Sequence, residues 1–92
     1  LGKERRLVRI FFNTYYTDVA EAVLKELKSL GYEVKATNSR VVPELYYVEI
    51  NVGNTDPRDV AEKVRALLED TREKHRGLVF GIKVYSIDTS SS

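Results

Sequence analysis

Few side chains in this 92-residue chain are suited to acid–base, nucleophilic or metal chemistry: there is one histidine and no cysteine. Without thiols there are no disulfides, thiolate metal sites or cysteine nucleophiles, and the redox compartment stays open. Cluster ligation of the iron–sulfur ferredoxin kind is excluded with them. His75 falls in the last turn of a helical pattern, where a cation suits the negative end of the dipole, and that role outweighs a catalytic one. With no second histidine and no cysteine, a zinc site is not expected. Asp56 and Asp59 are paired acids by type, but their spacing is that of a helix cap. Gly31, Gly53, Gly77 and Gly81 are isolated, so no glycine-rich loop offers N–H groups to a phosphate. Tyr15 and Tyr16 lie in a loop where, with Asn13, Asn38 and Arg40, they could rim a small pocket near His75. The expectation is no enzyme, no catalytic residue, no metal and no cofactor.

These groups are positioned by a regular series of elements. Residues 5–13 alternate, with Val8, Ile10 and Phe12 on one side and Leu7, Arg9 and Phe11 on the other, the period of a strand. Asp18 followed by Glu21 reads as a capping-box-like helix start. Ala20, Val23, Leu24, Leu27 and Leu30 follow at helical spacing, and Gly31 is placed to stop the helix. Tyr32, Val34 and Ala36 mark a second strand and Tyr46, Val48, Ile50 and Val52 a third. The short link Asn38–Pro43 makes these two a hairpin.

Asp56–Pro57 with Asp59 is the clearest helix start: Asp caps, Pro is preset for the first helical position, and the second acid meets the positive dipole end. Val60, Val64, Leu67, Leu68 and Thr71 form its buried stripe, and opposite charges four apart, such as Arg65/Glu69 and Asp70/Lys74, its exposed side. Gly77 ends it. Leu78, Phe80, Ile82 and Val84 then alternate with Val79, Gly81, Lys83 and Tyr85 in a fourth strand.

The order β-α-β-β-α-β, with one apolar stripe per helix, puts both helices on one face of one sheet. The fold class expected is α+β: a ferredoxin-like two-layer sandwich with an antiparallel sheet in the order 4-1-3-2. Its strand core would be Val8, Ile10, Phe12, Val34, Tyr46, Val48, Ile50, Leu78, Phe80, Ile82 and Val84. One domain spans 1–92, ordered over about 5–87, with 88–92 a polar tail. A composition 42% hydrophobic and 32% charged suits such a domain, and a net charge of +1 creates no strong field for nucleic acid or anionic lipid. The charge is uneven, with Lys3, Arg5, Arg6 and Arg9 against Glu4 in the first ten residues. No run is apolar enough for a membrane span and none has a signal-peptide layout; a soluble chain compatible with cytoplasmic expression is expected, its location unassigned.

Strand parity leaves the other sheet face open, carrying Arg9, Phe11, Glu33, Lys35, Leu45, Tyr47, Glu49, Lys83 and Tyr85. Arg9, Phe11, Leu45, Tyr47, Lys83 and Tyr85 are the candidate binding residues. Phe11 should lie beside Leu45 and Tyr47, and such a cluster on an uncovered sheet asks for explanation. It could simply hold register as a cross-strand aromatic pair. Phe11 laid over Gly81 would cover bare backbone while permitting curvature. Strand four is an edge, with Val79, Tyr85 and Ile87 on its outer side and Lys83 as its guard, and a partner's strand could pair there.

The sequence resembles two kinds of protein. Ile10-Phe11-Phe12 and Glu44-Leu45-Tyr46-Tyr47-Val48-Glu49-Ile50 are faintly similar to the two motifs with which RNA-recognition-motif domains stack bases. Pro43 and Glu44 stand where that family has a basic residue and Gly, and Leu45 replaces an aromatic. The acylphosphatases share the architecture, but their glycine-rich loop with its arginine is missing after strand one. Helices filled with Ala, Leu, Glu, Lys and Arg, rule-following caps, and the lack of Trp, Cys and Met resemble a de novo designed ferredoxin-like protein. That resemblance implies a structural scaffold with no natural enzymatic activity and no required partner. The alternative is a protein- or ligand-binding module using the open face or the strand-four edge, self-association included; RNA binding is remote.

Overall fold

The structure, a computed structural model, describes residues 5–89. Lys3 and Glu4 of the basic segment, and residues 90–92 of the expected tail, lie outside the described residues. The elements follow the order β1 (Arg6–Asn13), α1 (Thr17–Lys28), β2 (Glu33–Asn38), β3 (Leu45–Asn51), α2 (Pro57–Lys74) and β4 (Phe80–Asp88). All strand pairs are antiparallel, in the spatial order β2-β3-β1-β4, which is the expected 4-1-3-2 read from the other side. Both helices pack on one face, giving a two-layer α+β sandwich.

The core lies between the layers. Val8, Ile10, Phe12, Val48 and Ile50 of the central strands are fully buried against Val23 and Leu27 of α1 and Val60, Val64 and Leu68 of α2. Each such side chain contributes about 1.5–3 kcal/mol of burial free energy before its entropy cost. Val34, Tyr46, Ile82 and Val84 are half-buried around this centre, and Tyr46 stacks on Phe12 with ring centroids 5.1 Å apart.

Two expected core residues are not in the core. Leu78 and Phe80 are exposed, and Val79 is buried in their place. The cause is a β-bulge. Phe11 pairs with Lys83 but Asn13 pairs with Phe80, so three steps along β4 match two along β1. Gly81 takes up the extra residue at φ +61°, in the left-handed region that favours glycine. The insertion reverses the alternation, turning Phe80 to the open face and removing Val79 from the outer edge where parity had placed it. The cover over Gly81 also differs from expectation. Asn13 rather than Phe11 lies there, its amide donating to Phe80 O at 3.2 Å.

The helix ends obey local chemistry. The Asp56 carboxylate accepts from Arg58 N at 3.0 Å, and Pro57 occupies the first turn. At α1 the N-cap is Tyr16, which makes no side-chain cap bond, and Asp18 sits inside the first turn. The Thr14 hydroxyl accepts Tyr16 N–H from outside the helix instead. On α2, Lys74 pairs with Asp70 as expected, but Glu69 takes Arg72 and Arg65 reaches across to Val84 O. The expected tail begins too early: Asp88 closes β4, and beyond it Thr89 N donates to Arg5 O while Arg5 N donates to Thr89 Oγ1, both at 2.9 Å.

Candidate functional site on the open sheet face

Strand register arranges the uncovered face as a grid across β3, β1 and β4. Glu49, Arg9 and Tyr85 form one row, Tyr47, Phe11 and Lys83 the next, and Leu45, Asn13 and Phe80 the third. The six candidate residues all belong to this grid, and the sequence reading missed Asn13 and Phe80 within it. The period of two could not reveal Phe80, because the bulge that turns it outward inserts a residue. Gly81 was the available signal.

Phe11 is the centre. Its ring lies 5.1 Å from that of Tyr47 and 6.2 Å, edge to face, from that of Tyr85. Such pairs contribute about 0.5–1.5 kcal/mol beyond their area. Beyond the third row, Phe80 meets Tyr15 at 5.6 Å. Beside Phe11 and Tyr85 lies a shallow cavity of about 420 Å³, lined by these two with Asn13, Leu45, Gly81 and Lys83. The backbone of Gly81 forms part of its wall.

The first row is electrostatic. One carboxylate oxygen of Glu49 accepts from the Tyr47 hydroxyl at 2.7 Å and lies 3.4 Å from Arg5 and 3.9 Å from Arg9. Burial pushes the Tyr47 phenol above its usual pKa, and the hydrogen bond to Glu49 adds to the rise. Arg5 and Arg9 thus share one acid. A second hollow of about 240 Å³ lies beyond this row, lined by Arg5, Arg6, Leu7, Glu33, Lys35, Glu49 and Asn51, with both signs of charge present.

At the opposite end of the sheet the loops after β1, between β2 and β3, and before β4 come together. Six of the seven large hydrophobic residues exposed among the described residues lie there: Tyr15, Tyr16, Val41, Val42, Leu78 and Phe80; the seventh, Tyr85, is on the grid. The polar rim expected around Tyr15 and Tyr16 has another use. The Asn38 amide donates to Pro43 O at 2.7 Å and to Leu45 O at 3.0 Å, closing the hairpin loop, and Asn13 is held by Phe80 O. His75 is the C-cap of α2, in keeping with a helix-end role. Among the described residues no group of three His, Asp or Glu side chains is placed to hold a metal ion, and no helix is long and apolar enough to cross a membrane.

The outer edge of β4 is guarded by more than Lys83, since Arg65 Nη2 donates to Val84 O at 3.1 Å. No family model matches the chain, and no curated protein or solved structure matches it at a significant level.

Proposed function

We propose that the chain is a designed, ferredoxin-like scaffold without natural enzymatic activity, whose work is to bind a protein partner on the loop end of its open sheet face. One observation carries the reading: exposed apolar side chains of three loops gather at one end of the sheet, and one of them, Tyr15, meets Phe80, which lies on the same open face as Phe11 and Tyr85. Scattered exposed hydrophobics are ordinary, whereas a contiguous apolar area marks a contact surface. Tyr15, Tyr16 and Tyr85 belong to it, and tyrosines supply large rigid contact area at low entropic cost. Lys83 lines the cavity with no carboxylate partner among the described residues, so the matching surface is apolar with an acid opposite Lys83. The designed origin rests on the regular helix composition and on the Asp56–Pro57 cap.

Selection of displayed peptides on the wild-type chain, followed by calorimetric titration of the winners, tests the reading. Binding should fall at least tenfold in Phe11→Ser and in Tyr85→Ser, with Arg72→Ala, on the far side of α2, unaffected. Winners that bind both serine variants as well as wild type refute it. The RNA reading draws on the Phe11–Tyr47 stack, but Glu49 neutralises the arginines that would hold phosphate. Its mark would be tight, salt-sensitive capture of single-stranded RNA, and that result also overturns the protein-binding proposal.

A further inference from the structure

β4 is the longer of the two edge strands, nine residues against six in β2. Thr89 N donates to Arg5 O, which identifies the odd-numbered residues at this end of β4 as those whose backbone turns to β1. The N–H and C=O of Ile82, Val84 and Ser86 therefore point away from the sheet, as the open groups of an edge do. One of these groups is occupied. Arg65, on α2, lays its guanidinium against Val84 O at 3.1 Å.

We propose that this edge is competent to pair with β4 of a second copy of the chain, and that Arg65 holds it closed. The strand is self-complementary about Val84. Antiparallel pairing on a two-fold axis there sets Val84 against Val84, Ser86 against Ile82 and Tyr85 against Lys83, a regular overlap of Ile82–Ser86 on the near side of the Gly81 bulge. Lys83 then meets an aromatic ring rather than another ammonium. The central pair exchanges two hydrogen bonds, each from Val84 N–H to Val84 O of the other copy. Arg65 opposes this twice. Its guanidinium stands where the incoming N–H must arrive, and the same axis brings two Arg65 side chains together, like charge against like. The inference is independent of what the open face binds, because the edge lies in the plane of the sheet.

Arg65→Ala tests it. The position is exposed and alanine favours helix, so the fold should persist. Sedimentation across a concentration series should show the variant dimerising at least about tenfold more tightly than wild type, the effect of removing two competing hydrogen bonds. Hydrogen exchange at Val84 and Ser86 should slow in the dimer while the open-face residues are unchanged. Equal association of the two chains overturns the proposal. So does a tighter dimer whose Val84 and Ser86 amides exchange as fast as in the monomer, since that contact lies elsewhere.

Discussion

Replacing Gly81 by alanine should destabilise the domain by two separable effects. The residue sits at φ +61°, where a Cβ costs about 1–2 kcal/mol. An ideal Cβ would also lie 2.5 Å from Asn13 Nδ2, inside any tolerable contact, so the Asn13 amide must leave Phe80 O. Losing that hydrogen bond adds about 0.5–1.5 kcal/mol. Gly81→Ala should therefore cost roughly 1.5–3.5 kcal/mol, the sum of these two contributions. For a domain of this size each kcal/mol lowers the melting temperature by about 4–8 °C. Urea unfolding of wild type, Gly81→Ala, Asn13→Ala and the double variant closes a cycle. With Asn13 already truncated, the added methyl meets nothing and only the backbone cost remains, so the two changes should be sub-additive by about 0.5–1.5 kcal/mol. Strict additivity would show that the amide does not lie over the glycine. A Gly81→Ala cost below about 0.5 kcal/mol, the range of ordinary surface changes, would remove the bulge itself.

Two further outcomes follow from the site. Val79→Ala should cost more than Phe80→Ala in chemical denaturation despite removing fewer atoms, because Val79 is 1% exposed and Phe80 39%; the reverse order would restore unbroken alternation through β4. Tyr47 has a raised pKa in the folded state, so its contribution to stability is present below the unfolded tyrosine value and is lost as pH rises through the folded one. Glu49→Gln should move its phenolate absorbance titration downward, and an unmoved curve would exclude the Glu49 contribution.

The layers and the strand order were legible because Val8, Ile10 and Phe12 in β1, and Val48 and Ile50 in β3, alternate without interruption and each helix offers one stripe. Asp56–Pro57 announced α2 because cap chemistry is local. The start of β4 was not legible. Alternation counted back from Ile82 assigns Phe80 to the core, and nothing in a period of two signals an added residue except the glycine that permits it. The start of α1 was misread for a related reason: Asp18 and Glu21 can cap in isolation, but the chain leaves β1 so abruptly that Thr14 braces the turn and Tyr16 becomes the boundary. Parity brought the six candidate residues to one face, whereas the loop cluster that extends it depends on three chain segments distant in sequence.

The paired hydrogen bonds between Arg5 and Thr89 hold two distant points of the backbone side by side, at the end of the sheet away from Tyr15, Val41 and Leu78. A short bridge across that gap would close the chain into a ring with little loop-closure cost. Grafting the domain into another protein's surface loop, or tethering it to a solid support, would use the same end and leave the tyrosine-bearing tip facing outward.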